Sequence, residues 1–226
     1  MISTTAVLTV AYSYITKANH SEETISLNSK ECKTIIIDPG HGGEDCGAIG
    51  VTGIYEKDLN MQISKKLGDY LRAAGYNVIY TRTEDKLLYT EEENIKGMRK
   101  IYDLKNRTNI ANSYSDAIFI SIHMNSYGNE NCSGLQVYHT PGNEEAKKLA
   151  LNVQSSVKSS LQANNKRTIK SGENIFLLEN SANPAILIEC GFISNTEEST
   201  KLSEKEYQKE LCFSILCGII EYVKQR

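Results

Sequence analysis

Apolar residues alternate with polar stretches along the chain in a regular way. Ile35, Ile36 and Ile37 form a β-branched run that predicts a strand buried on both faces. From Glu56 to Ala74, Leu59, Ile63, Leu67, Tyr70, Leu71 and Ala74 recur at spacings of three and four, which predicts a helix with one apolar stripe, ended at Gly75. Asn77–Tyr80 reads as a second strand, Thr83–Glu93 as a loop, and Ile95–Asn112 as a second helix with Ile101, Leu104, Ile110 and Ala111 inward. Ala117–Ile122 and Leu135–Tyr138 read as strands, and Asn143–Leu161 as a helix carried by Ala146, Leu149, Ala150, Val153 and Val157. Ile175–Leu178 reads as a short strand, and Ala185–Ile188 as a final buried one. A last helix starts near Ser203, where Ser203 and Glu206 have capping-box spacing. Tyr207, Leu211, Ile215, Ile219 and Val223 hold one of its faces. Strands alternating with helices of this length predict an α/β fold, a mostly parallel twisted sheet covered by helices on both faces.

The 226 residues suit one domain with a substantial core, and 40% hydrophobic content excludes a disordered chain. Net charge is −3 with no basic stripe, which argues against nucleic acid as a partner. Ile2–Ile15 is apolar and carries no acid or base; a polar stretch, Thr16–Lys33, follows it. We therefore expect residues 1–33 to be a leader and linker that place the protein outside the cytoplasm, and residues 34–226 to be a single catalytic domain. None of the six cysteines forms a C-x-x-C pair, so a finger-type zinc site is not expected. Most are expected to be buried thiols, and Cys212 and Cys217 to point apart on one helix.

The chemistry gathers at strand ends. Asp38-Pro39-Gly40 stops the first strand and presents His41 to a glycine-rich loop. His123 follows the AIFISI strand, Glu189 follows the AILI strand, and Glu56 opens the first helix. In open α/β sheets the carboxyl ends of the strands are the usual ligand edge. Two imidazoles and a carboxylate make a typical catalytic zinc set, and a further glutamate can move the proton of a water. Glu56 could equally complement the helix dipole. A charged Glu189 beside so apolar a run is costly unless paired, hydrogen-bonded or used. Arg107 and Asn125 are weaker candidates for holding ligands or substrate, and Asp38 and Asp45 are expected to brace the loop.

The motifs I-I-I-D-P-G-H-G-G-x-D-x-G-A-x-G, Y-E-K-D-L-N, T-R, F-I-S-I-H-M-N-S and P-A-I-L-I-E-C-G-F-I-S-N occur in this order between about Lys33 and the C-terminus. In them the chain resembles the zinc-dependent N-acetylmuramoyl-L-alanine amidases of the amidase-3 type. The resemblance implies one Zn2+ on His41, Glu56 and His123, with Glu189 as catalytic base, acting on peptidoglycan. The run from Asn125 to Leu135 is too short for the helical plug of family members used in cell division. Without that plug or wall-binding repeats, the chain is most similar to the germination type that acts on spore cortex on the route to muramic-δ-lactam. A domain of this kind needs placing at the wall, so a membrane-anchored accessory protein is expected. Two rival readings remain at this level: another zinc peptidase, such as a carboxypeptidase, and a non-catalytic wall-binding module.

Overall fold

The computed structural model describes residues 34–226; the leader and linker expected over residues 1–33 lie outside the described residues. Six strands form one sheet: β1 (Thr34–Pro39), β2 (Asn77–Tyr80), β3 (Ala117–Asn125), β4 (Gln136–His139), β5 (Lys170–Ser171) and β6 (Ala185–Phe192). Their order is β2-β1-β3-β6-β4-β5. The pairs β1–β2, β1–β3 and β3–β6 are parallel, and β4 runs antiparallel to β6. Six helices join them: α1 (Glu56–Ala73), α2 (Arg99–Asn112), α3 (Glu144–Ser160), α4 (Phe176–Glu179), α5 (Thr196–Ser203) and α6 (Lys205–Lys224).

The two faces of the sheet are unequal. Ile35, Ile37, Ile118, Ile120, Ile122, Ile186 and Ile188 point to one side, under Leu59, Ile63 and Leu67 of α1, Leu149 and Val153 of α3, and Leu211 and Ile215 of α6. Ile36, Phe119, Ala185 and Leu187 point to the other, which is covered by Ala111 and the half-buried Leu104 of α2, Leu177 and Leu178 of α4, and the half-buried Tyr114 and Ile175. Adjacent residues of one strand thus serve opposite layers, as the pleat requires. The thinner cover leaves the carboxyl ends of β1, β3 and β6 accessible on the second face.

Several local expectations are corrected. Ile175–Leu178 is not a strand. Asn174 takes a left-handed conformation at φ +69°, and the chain turns into α4, so that Leu177 and Leu178 both face the sheet. A four-residue apolar run does not by itself distinguish the two periods. The strand that fills this edge is β5, only two residues long. Helix α2 starts at Arg99, not Ile95, after Gly97 at φ +84° interrupts the preceding turns. Its inward face is Asp103, Arg107, Thr108 and Ala111, while Ile101 is 41% exposed.

The expected capping box is absent too. Ser203 closes α5, its hydroxyl donating to the Ser199 carbonyl at 2.8 Å, and α6 begins after Glu204 with no side-chain cap. Strands β3 and β6 run further than expected, so His123 and Glu189 lie within them. Among the described cysteines, all free thiols, only Cys190 and Cys212 are buried; Cys46, Cys132 and Cys217 are half-exposed, contrary to the expectation for most of them. Each of these three sits in a loop or on the outer side of a helix, where the apolar pattern does not reach.

Candidate metal centre

The site begins with the carbonyls that follow β1. Arg107 reaches from α2 and donates to Pro39 O at 2.8 Å, His41 O at 2.7 Å and Asp38 Oδ1 at 2.7 Å; its Nε donates to Asp103 Oδ2 at 2.8 Å. Arg82 donates to Pro39 O at 2.8 Å and Gly40 O at 2.9 Å. Asn60 of α1 adds a bond to Gly40 O at 3.1 Å. Every carbonyl from Pro39 to His41 is therefore held by a guanidinium. Asp38 is fully buried and also accepts from Thr81 and Ser121. Burial alone would raise its carboxyl, but Arg107 and the two hydroxyls hold it below its ordinary value.

This frame keeps His41 at φ +60°, a conformation that a non-glycine residue seldom adopts without support. Its Nδ1 lies 2.9 Å from Asp45 Oδ2, and its Nε2 lies 3.2 Å from Glu56 Oε1. The loop between them returns through an Ile49–Tyr55 bridge and a Glu56 N to Ala48 O bond of 3.0 Å, which aims the first residue of α1 at the sheet edge. Glu56 is 4% exposed. Its Oε1 also accepts from the Met124 amide at 3.1 Å and lies 3.0 Å from His123 Nδ1, and its Oε2 accepts from the Ala48 amide at 2.9 Å.

Two glycines are needed for this closeness. A Cβ on Gly40 would sit 2.2 Å from the His123 ring, and one on Gly47 would sit 2.5 Å from Glu56 Oε2. The two imidazole rings meet edge-on, with centroids 4.9 Å apart.

The electrostatics follow from burial and pairing. Burial works against a charged His41, yet the bonds to Asp45 and Glu56 raise it to about 9. Burial works against a charged Glu56, yet the two imidazoles hold its carboxyl well below the ordinary range. The His41 bond, with help from Lys100, does the same for Asp45. Glu189 behaves differently: burial pushes it up to about 7. It is paired with His123 across β3 and β6. Its Oε2 is shut off from water and has no hydrogen-bond partner. Buried oxygens of Asn60, Ser64 and Gln208 are unpartnered as well, so it is the place of Glu189 beside His123, not the missing bond alone, that singles it out.

One ligand atom from each of His41, Glu56 and His123 lies within 4.8 Å of the others. The structure thus brings these three together and sets Glu189 beside them. Asp45 joins as the partner of His41, and Asp38 as part of the frame. Asn125 ends β3, where its main-chain carbonyl accepts from the Ile193 amide at 2.9 Å. Arg107 is central to the frame, though neither at the surface nor at the cluster itself. Arg82 was recognisable only as half of the T-R motif, because a buried arginine in a loop leaves no periodic signal. Two imidazole nitrogens and a carboxylate oxygen this close suit a borderline cation such as zinc, and the unpartnered Glu189 oxygen fits a proton carrier next to it.

Fold and cluster together define a hydrolytic enzyme domain with a candidate metal centre at the rim of its sheet. The chain belongs to the N-acetylmuramoyl-L-alanine amidase family, Amidase_3, whose family model it matches over residues 35–221. It is 36% identical over 194 residues to the germination-specific N-acetylmuramoyl-L-alanine amidase of Bacillus subtilis strain 168, covering 86% of this chain and 81% of that protein. The CwlD amidase from Clostridioides difficile, solved in complex with the GerS lipoprotein, is similar at a TM-score of 0.82 and 35% identity, over 86% of this chain and 100% of that one. A second N-acetylmuramoyl-L-alanine amidase, from Clostridium difficile 630, is similar at a TM-score of 0.75 and 34% identity, over 85% of this chain and 97% of that one.

Proposed function

We propose that this amidase cleaves the amide between the lactyl group of N-acetylmuramic acid and L-alanine of the stem peptide, with His41, Glu56 and His123 holding one zinc ion and Glu189 as the acid–base group. The observation that carries the reading is the convergence of three ligand atoms within 4.8 Å beside a buried carboxylate oxygen that nothing else uses. Zinc bound there would supply Lewis acidity toward a water and the scissile carbonyl. The chain's own part is positional and protonic. The Arg82 and Arg107 frame fixes the His41 backbone, and Asp45 fixes the ring. Glu189 takes a proton from the attacking water and returns it to the departing alanine nitrogen. A carboxyl raised toward 7 can do both near neutral pH. The open sheet edge suits a long glycan strand.

The germination-specific relative and the CwlD structure support a role in germination; we propose that the substrate is spore cortex and that peptide removal leads to muramic-δ-lactam. The two relatives also support action outside the cytoplasm, and we propose from the sequence that residues 1–33 serve as leader and linker ahead of the catalytic domain. Among the described residues no helix is long and apolar enough to cross a membrane. The complex of CwlD with a lipoprotein favours a membrane-anchored accessory partner for this chain too. The test is mass spectrometry of cortex and vegetative peptidoglycan digests, with and without chelator. Release of intact stem peptides with a free N-terminal alanine, abolished by chelator, supports the reading; shortened peptides on uncleaved muramic acid refute it.

A further inference from the structure

The turn after β1 is held from outside as well as from within. His41, Gly42 and Gly43 all have positive φ, at +60°, +140° and +58°. Such a run does not keep one conformation unaided, because its two glycines have the most backbone freedom to lose. Gly42 and Asp45 bond to each other in both directions, amide to carbonyl, at 2.9 and 3.1 Å. This closes a four-residue turn whose last side chain is the Asp45 carboxylate on His41 Nδ1. Arg82 and Arg107 bond the carbonyls of Pro39, Gly40 and His41, which come before the tip of the turn.

The tip is held by two side chains from elsewhere. Asp85, in the loop after β2, accepts from the Gly43 amide at 2.7 Å. Lys57, the second residue of α1, donates from Nζ to Gly43 O at 2.8 Å and to Asp85 Oδ2 at 2.7 Å. Amide, carboxylate, ammonium and carbonyl thus close a ring of bonds around one glycine. The main chain of Lys57 is fixed in turn: its amide donates to Cys46 O at 3.2 Å, and its carbonyl accepts from Arg82 at 3.3 Å. Its neighbour in the chain is Glu56. The ring therefore ties the loop that carries His41 and Asp45 to the helix start that carries Glu56.

Stability does not account for this ring. The Asp85 side chain is 56% exposed, and an ion pair so open to water adds little to folding. Loss of Lys57 would leave Asp85 in reach of water, so no charge would be stranded, unlike the case of Arg107. Position is what the ring controls. The ligand atoms of His41, Glu56 and His123 lie within 4.8 Å of one another, and a shift of the turn moves the first of them against the other two.

We propose that Lys57 and Asp85 are positioning residues for the metal centre: together they fix the Gly43 turn and so set where His41 stands relative to Glu56. This rests on the metal reading above. Zinc affinity is measured by competition with a chromogenic chelator, and urea unfolding of the metal-free proteins is measured beside it. Lys57→Met and Asp85→Ala are each expected to weaken zinc binding about tenfold or more, with the urea midpoint of the metal-free protein close to wild type. Lys57→Arg, which keeps the charge and the donors, is expected to retain most of the affinity. The double variant is expected to lose no more than the worse single one, because either change opens the same ring. Wild-type affinity in either single variant overturns the proposal. So does a loss of affinity matched by a fall in the urea midpoint, which marks a pair kept for the fold, and so does a double variant in which the two losses multiply. If the wild type itself binds no zinc, the metal reading fails and this inference with it.

Discussion

Arg107→Met removes the centre of the frame and leaves a shorter, unbranched apolar side chain in its place. Arg107 is 1% exposed and lies between two carboxylates, Asp38 at 2.7 Å and Asp103 at 2.8 Å. After substitution, Pro39 O keeps Arg82, Asp38 keeps Thr81 and Ser121, and Asp103 keeps the Leu88 amide. His41 O loses its guanidinium donor, and two buried carboxylates lose their counter-charge. Breaking a buried pair from one side costs about 3–5 kcal/mol, a large share of a typical total of about 5–15 kcal/mol. The pH dependence has a definite sign. In the wild type Asp38 is held below its ordinary 3.8, so its contribution is fully present above that value and fades as pH falls below it. In the variant, burial acts on Asp38 and Asp103 without the opposing guanidinium, so both carboxyls rise, Asp103 from a value already raised, and they take up protons more readily as pH falls. The difference in stability between the two proteins is therefore largest at pH 7 and shrinks toward pH 4. Urea unfolding followed by circular dichroism at both pH values measures it. A loss under about 1 kcal/mol at pH 7, or a gap that widens in acid, would refute the reasoning.

Gly40→Ala drives a methyl into the His123 ring, so it should lower activity by at least about a hundredfold, read by peptide release from muramoyl-peptide substrate, even where the protein still folds. Asp45→Ala frees His41 Nδ1 and should weaken zinc binding by about 10–100-fold in a competition titration with a chromogenic chelator. Leu67→Ala, in the fully buried layer under α1, should cost about 2–5 kcal/mol in urea. Ser203→Ala should change stability by less than about 0.5 kcal/mol, because Ser203 ends one helix and does not cap the next.

What could be read from the chain was what leaves a period or a break. The Ile35–Ile37 run announces a strand buried on both sides because no polar residue relieves either face, and Ile36 indeed serves one layer while Ile35 and Ile37 serve the other. The meeting of His41, Glu56 and His123 was legible for the same reason: each is placed by the end or start of a strongly periodic element. The frame around His41 was not. On α2 the apolar stripe finds Ala111 and Leu104, but Ile101 is exposed, and the rest of the buried face is Asp103, Arg107 and Thr108, which no apolar pattern marks. Short pieces failed too. The two residues of β5 and the single turn of α4 are decided by what they pack against, and the break at Glu204 between α5 and α6 has neither glycine nor proline to mark it.

The central claim is that three side chains hold a metal and a fourth moves a proton. Metal content by mass spectrometry, read alongside turnover, separates these roles in the wild type, Glu189→Ala and His123→Ala. The account predicts one zinc per chain in the wild type and in Glu189→Ala, hydrolysis only in the wild type, and neither zinc nor hydrolysis in His123→Ala. Full turnover by Glu189→Ala, or stoichiometric zinc with full turnover in His123→Ala, would contradict it.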